Sequence, residues 1–122
     1  SVPRITKEDL KARLEGDPAN LPVILDARLK YPYEHSTLTL PGAVRVNPDA
    51  LDTSWLSTDR DVVAYDSDLE ELVSARVAAA LIRQGYRASA LKGGLPEWVT
   101  AKFPTDAKDA PMQAPPKAGE LK

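Results

Sequence analysis

Two unbroken apolar runs, each ending in an aspartate, dominate the pattern of hydrophobic and polar positions along this chain. They cover residues 22–26 and 61–66. Apolar runs of this length, without polar interruption, are typical of strands buried on both faces of a parallel sheet. Shorter runs at residues 43–46 and 87–91 are further strand candidates. The pattern therefore predicts several short buried strands, two of which deliver a carboxylate at their carboxyl ends.

Two segments with helical periodicity lie between these strands. Residues 7–14 follow Thr6, a good N-cap residue, and predict a short helix. Residues 73–84 combine strong helix formers with an apolar face and are followed by Gly85, a typical residue just past a helix end. We expect Ser74 to cap this second helix. Strands that alternate with helices predict a small parallel sheet with helices on both faces, since its crossovers are right-handed.

Composition narrows the classes of function. The 122 residues fit one domain, and 16 Lys plus Arg against 18 Asp plus Glu give a net charge of −2 without a basic stripe. We therefore expect neither nucleic acid nor a membrane as a partner. The chain has no cysteine, which excludes disulfides, thiolate metal sites and cysteine nucleophiles. A domain without disulfides is compatible with the cytoplasm and with export after signal removal, so the compartment stays open.

The strand that ends at Asp66 is the strongest candidate for chemistry. A buried strand that passes through a short polar loop into a helix directs the loop towards free backbone N–H groups, where anion sites and nucleophiles occur. The loop is acidic, with carboxylates at positions 66, 68, 70 and 71. Such a loop repels phosphate or thiosulfate. The sequence thus presents an anion-binding position that is already occupied by negative side chains.

Four segments, taken in order, resemble the rhodanese-like (sulfurtransferase-like) domain. They are Leu25-Asp26-Ala27-Arg28; Glu34 with Leu40-Pro41-Gly42-Ala43; the strand, loop and helix of residues 62–84; and Gly85-Tyr86 with Leu91 to Trp98. The resemblance implies a three-layer α/β domain with a five-stranded, mainly parallel sheet over residues 1–104. Residues 105–122, rich in Pro, Ala and Lys, are predicted to form an extended tail or linker.

Active members of that family carry a cysteine at the end of the central strand, and its thiolate holds transferable sulfur as a persulfide. The resemblance places Asp66 at that position. A carboxylate cannot form and break a sulfur–sulfur bond, so we expect no persulfide chemistry. Nineteen positions separate Asp66 from Gly85, more than compact members of the family have. The lengthened loop is expected to satisfy its own N–H groups through Asp66 or Ser67.

The resemblance also implies structural roles outside the loop. Asp26 is expected to brace its strand end, and Arg28 to pair with Glu34 before the Pro-Gly turn. Trp98 is expected to pack in the core. The full set of structural motif residues predicted in this way is Asp26, Arg28, Glu34, Pro41, Gly42, Gly93, Gly94 and Trp98.

The favoured hypothesis is a catalytically inactive rhodanese-like module whose acidic loop binds a partner protein or a basic peptide. No cofactor and no metal are predicted. The predicted binding residues are Asp66, Ser67, Asp68, Glu70, Glu71, Ser74 and Arg76. The alternative is an Asp66-dependent, metal-assisted hydrolase or phosphatase. Against it, the residues after Asp68 do not fit the aspartate-based phosphatase motif, and a cation site made from these acids lacks the glycine that bends such loops.

Overall fold

The computed structural model describes residues 1–108 and contains one five-stranded sheet. The strands are β1 (Arg4–Ile5), β2 (Val23–Asp26), β3 (Leu38–Thr39), β4 (Val44–Arg45), β5 (Asp61–Tyr65), β6 (Arg87–Leu91) and β7 (Asp106–Ala107). The helices are α1 (Lys7–Leu14), α2 (Lys30–Glu34), α3 (Leu72–Arg83) and α4 (Gly94–Thr100), with a 3-10 turn at Pro18–Asn20. The strands predicted from the two apolar runs and the helices predicted at 7–14 and 73–84 are all present, with ends shifted by at most one residue.

The main sheet has the order β1-β6-β5-β2-β4, and every neighbouring pair in it is parallel. The predicted five-stranded sheet is thus confirmed. β5 lies at its centre because its residues are apolar on both faces. Val62 and Ala64 face a core that includes Val77 and Leu81 of α3. Val63 and Tyr65 face the opposite core, with Leu10 of α1 and with Leu95 and Trp98 of α4. Helices therefore cover both faces of the sheet.

β3 and β7 form a separate two-stranded antiparallel sheet. β7 lies within the segment 105–122 that was predicted as an extended tail or linker, and it pairs with β3 of the domain. Asp106 accepts a hydrogen bond from the Gly42 N–H at 3.0 Å. The Lys108 ammonium donates to the carbonyls of Tyr33 and Glu34 at 2.9 and 3.0 Å, at the end of α2. The remaining residues of the predicted tail, 109–122, lie outside the described part of the chain.

Within residues 1–108, no helix combines the length and the apolar character that a membrane span requires.

Candidate functional site

Asp66 follows β5 directly and is buried, with 1% of its surface exposed. Both of its carboxylate oxygens accept hydrogen bonds from backbone N–H groups. Oδ1 accepts from Asp68 at 2.8 Å, and Oδ2 accepts from Ser74 at 2.6 Å. Asp66 therefore accepts hydrogen bonds from N–H groups of its own loop and helix, as predicted. Because charge-assisted hydrogen bonds to N–H groups are strong, the side chain is held in one orientation.

Asp68 extends the same arrangement. Its Oδ1 accepts from the Glu70 N–H at 3.0 Å, and its Oδ2 accepts from the Leu72 N–H at 3.2 Å. Leu72 and Ser74 belong to the first turn of α3, whose N–H groups have no partner within the helix. Two carboxylates from the loop thus supply those partners, and their negative charge is favourable at a helix N-terminus.

Ser74 does not cap α3, contrary to prediction. It lies inside the first turn, and the cap position is taken by Glu71 in a left-handed conformation with φ 58°. The Ser74 hydroxyl instead lies 3.5 Å from the Glu71 carbonyl. The physical reason is that α3 already begins at Leu72, so Ser74 is the third residue of the helix. A serine that caps must accept from an N–H two or three residues further on.

Glu71 ties the loop to two distant parts of the chain, β1 and the start of α4. Its side chain is buried, and its Oε1 accepts from the Arg4 guanidinium in β1 at 2.7 Å. Its Oε2 accepts from the Gly93 N–H at 2.9 Å. A buried carboxylate is stable only when it is paired and hydrogen-bonded, and both conditions hold here. Glu71 therefore fixes the loop rather than facing a ligand.

Gly93 and Gly94 allow α4 to approach this loop closely. Both have positive φ, +80° and +61°. A Cβ at Gly94 would lie 2.7 Å from the Asp66 carbonyl and 3.0 Å from the Asp68 carbonyl. The Asp66 carbonyl also accepts from the Leu95 N–H at 2.9 Å. Glycine is needed here because only a residue without Cβ permits both the conformation and the contact.

Arg28 pairs with Asp26 and not with Glu34, which corrects the sequence-based prediction. Its Nε and Nη2 donate to the two Asp26 oxygens at 2.9 and 2.5 Å, and Nη2 also donates to the Leu38 carbonyl at 3.0 Å. Both side chains are about 99% buried, since each exposes 1%. Glu34 is exposed at the end of α2. Arg28 pairs with Asp26 rather than with Glu34 because the Asp26 carboxylate is buried beside it and offers both oxygens to the planar guanidinium.

Sequence reasoning missed the aromatic and cationic groups around this pair. The Tyr33 ring lies 4.2 Å from the Arg45 guanidinium, 5.3 Å from that of Arg28 and 4.7 Å from the Lys108 ammonium. Arg45 also donates to the carbonyls of Asp26 and Arg28. The signal in the sequence was the tyrosine-rich segment after Arg28. Its packing partners are distant in the chain and could not be identified from spacing.

Tyr65 closes the buried network beside Asp26. Its hydroxyl accepts from the Leu40 N–H at 3.3 Å. Burial, and then the charge of Asp26, raise the pKa of Tyr65 well above its ordinary value.

This shift predicts a loss of stability at alkaline pH. A phenol that ionises more readily in the unfolded chain contributes stability that is complete below about pH 10 and is lost as pH rises towards the folded pKa. We expect the urea midpoint of the protein to fall more steeply above pH 10 than that of Tyr65→Phe, which has no such proton to lose. Urea titrations at several pH values measure this. Parallel pH profiles for the two proteins would contradict the assignment.

The other predicted structural residues lie in scaffold positions. Pro41 and Gly42 form a turn in which Gly42 has φ 67° and the Ala43 N–H donates to the Leu40 carbonyl. Trp98 is fully buried and donates through Nε1 to the Pro104 carbonyl at 2.7 Å. Arg76 is exposed and pairs with Asp49 at 3.2 Å. Its guanidinium is therefore engaged with the segment that follows β4.

The four carboxylates of the predicted binding loop are not all exposed, since Asp66 and Glu71 are buried. Ser67 and Asp68 are half-buried, and Glu70 is exposed. The most exposed large apolar side chains near them are Leu69 and Leu72, at 57% and 68%. Within residues 1–108, no group of three or more His, Asp or Glu side chains is placed to hold a metal ion. The loop surface is therefore mixed, apolar and acidic, rather than wholly acidic.

A parallel sheet covered on both faces, with a strand–loop–helix whose N–H groups converge on the residue after the central strand, defines a rhodanese-like α/β domain. The profile of the Rhodanese-like domain family matches residues 6–101. The chain belongs to this family, and within it carries no cysteine. No curated protein matches the chain significantly.

Solved structures agree with this assignment. The BH2092 protein from Bacillus halodurans is 17% identical with a TM-score of 0.75, covering 91% of this chain and 83% of its own. The Alr3790 protein from Anabaena is 30% identical with a TM-score of 0.71, covering 84% and 81%. The RPA3614 protein from Rhodopseudomonas palustris, described as a possible tyrosine phosphatase of unknown function, is 20% identical with a TM-score of 0.71, covering 86% and 85%. The first and third of these likenesses show the fold alone.

Proposed function

We propose that this protein is a non-catalytic rhodanese-like module whose loop after β5 serves as a binding surface. One observation carries the proposal. The Asp66 carboxylate occupies the position at which the N–H groups of the loop converge, and both of its oxygens are already hydrogen-bonded. The side chain is also shielded from solvent. A carboxylate that is buried and hydrogen-bonded through both oxygens is poorly placed to attack or hold a substrate.

The chemistry of the family supports the same conclusion. Sulfur transfer through a persulfide requires a thiolate that forms and breaks a sulfur–sulfur bond. This chain contains no cysteine at any position. Asp68 adds a second carboxylate that engages two more N–H groups of the loop. The fold is therefore retained, while the site carries no thiolate and four backbone N–H groups of the loop and of the first turn of α3 are bonded to its own carboxylates; fold alone does not carry function.

We expect no sulfurtransferase activity from this protein. Incubation with thiosulfate and cyanide, with colorimetric detection of thiocyanate, measures it. The matched variant is Asp66→Cys, which restores a nucleophile. We expect it to stay inactive, because Asp68 still occupies loop N–H groups and places a negative charge beside the new thiol. Thiocyanate formed by the unmodified protein would refute the proposal, and activity in Asp66→Cys would show that the anion cradle survives.

The alternative function is metal-assisted hydrolysis that depends on Asp66. A chromogenic phosphate ester with Mg²⁺ tests it, with Asp66→Asn as the control. The proposal expects no turnover, because the Asp66 oxygens bind N–H groups of the protein itself. Turnover that disappears in Asp66→Asn would refute the proposal of a binding module and support the hydrolase alternative.

A further inference from the structure

A groove of about 520 Å³ lies between the loop after β5 and helix α4. It is lined by Lys7, Leu69, Pro96, Glu97, Thr100 and Ala101. Its lining brings the exposed loop residue Leu69 together with one face of α4, which is anchored to the same loop through the hydrogen bond from Leu95 to Asp66. We call this feature the loop–α4 groove. Two of its walls, the loop and α4, are thus fixed to each other, and Lys7 of α1 completes the lining.

Two exposed leucines lie beside this groove: Leu69 lies in the loop and lines the groove, and Leu72 is the first residue of α3. Leu69 and Leu72 are 57% and 68% exposed. The backbone that carries them is held by the hydrogen bonds of Asp68 and by the pairing of Glu71 with Arg4. Apolar side chains that are exposed on a fixed backbone lose little entropy when they bind. An apolar patch with a polar rim is typical of an interaction site.

The charges around the groove decide what kind of partner it fits. Lys7 lies 3.4 Å from Glu8 and 3.6 Å from Glu97, so its positive charge is already balanced. The Asp68 carboxylate accepts two loop N–H groups. Glu70 is exposed and, within residues 1–108, forms no ion pair. On the loop side of the groove, Glu70 therefore places a negative charge without an ion pair next to the apolar residue Leu69.

We propose that the loop–α4 groove docks a short segment of a partner protein that carries an apolar side chain beside a lysine or arginine. The apolar side chain packs against Leu69 and Pro96 within the groove, and the cation pairs with Glu70. This inference rests on the proposed binding function and specifies its partner. Complementary charge supplies the selectivity for a basic segment, while the apolar contact supplies most of the affinity.

A titration of the ¹⁵N-labelled chain with two peptide probes tests the inference. One probe is the acetylated, amidated peptide Ser-Leu-Arg-Leu-Arg-Ser, and the other has glutamate in place of each arginine. We expect amide shifts confined to residues 69–72 and 96–101. We expect the arginine peptide to bind about fivefold more tightly than the glutamate peptide at low salt, and the difference to shrink with added salt.

Matched variants locate the contacts. Leu69→Ser should weaken binding of the arginine peptide about tenfold, whereas Leu29→Ser, at another exposed leucine, should leave it unchanged. Glu70→Gln should remove most of the preference for the arginine peptide, whereas Glu34→Gln, at another exposed glutamate, should not. All four positions are at the surface, so the variants are expected to fold.

Several results would refute this inference. They are equal binding of both peptides, shifts away from the groove, an absence of shifts at millimolar peptide, or concentration-dependent shifts of the groove amides without peptide, which would mean that a second copy occupies it. None of these results would bear on the expected absence of sulfurtransferase activity. Thiocyanate production would instead refute the proposed function, so the two failures are distinguishable.

Discussion

Replacement of Asp26 by alanine is expected to lower the free energy of unfolding by about 4 kcal/mol. The substitution leaves the Arg28 guanidinium buried without the carboxylate that neutralises it and accepts two of its hydrogen bonds. A buried charge without its partner is among the costliest defects a domain can carry. Urea unfolding monitored by tryptophan fluorescence measures the change, because Trp98 is buried in the core.

The control for this prediction is an exposed ion pair. Glu15 and Lys11 lie 2.8 Å apart on the surface of α1. Glu15→Ala should therefore cost less than about 0.5 kcal/mol. The double variant Asp26→Leu with Arg28→Met should recover part of the stability lost in Asp26→Ala, since it removes both buried charges. An Asp26→Ala protein as stable as Glu15→Ala would show that the pair does not hold the strand end.

The parts of the fold that could be predicted are those whose signal is local. β2 and β5 are continuous apolar runs, and α3 has a helical face with Gly85 just beyond its end. The assignment of Asp66 to the end of the central strand follows from the same run. Each of these patterns lies within one short stretch of sequence, so it can be recognised without knowledge of the tertiary contacts.

The contacts that could not be predicted join residues that are far apart in sequence. Glu71 appeared to be one member of an exposed acidic loop, but its partner Arg4 lies 67 positions away. The burial of Glu71 cannot be inferred without that contact. Lys108 likewise reaches the end of α2 across more than 70 positions. Composition suggested a tail there, because residues 105–108 attach through backbone pairing, Asp106 and Lys108 and not through large apolar side chains.

The partner of Arg28 shows a different limit. Asp26 and Glu34 both lie within a few positions of Arg28, so spacing permits either pair. The decision depends on burial, because Arg28 is directed into the interior beside the end of β2 while Glu34 lies at the surface. The local sequence therefore identified Asp26 and Arg28 as structural residues, but the ion pair predicted between Arg28 and Glu34 was wrong.

Substitution of Asp66 by alanine is expected to lower the free energy of unfolding by about 3 kcal/mol. The Asp66 carboxylate accepts from Asp68 and Ser74 and so joins β5 to the first turn of α3. Alanine leaves the buried Ser74 N–H without a partner and removes favourable negative charge from the helix N-terminus. Urea unfolding measures the loss, and hydrogen exchange at Ser74 should accelerate in the variant more than exchange at the buried strand amide of Val63.

Two further substitutions separate the hydrogen bonds of Asp66 from its charge. Asp66→Asn keeps one oxygen acceptor but places an amide donor against the second N–H, so its cost should lie between that of alanine and zero. Glu70→Ala, in the same loop but exposed, should change stability by less than about 0.5 kcal/mol. If Asp66→Ala proved no more damaging than Glu70→Ala, the carboxylate would not be a structural element of the loop, and its role would have to be sought in a ligand. The expected order, with alanine at position 66 the most damaging, instead means that the carboxylate after the central strand stabilises the fold by joining β5 to the first turn of α3.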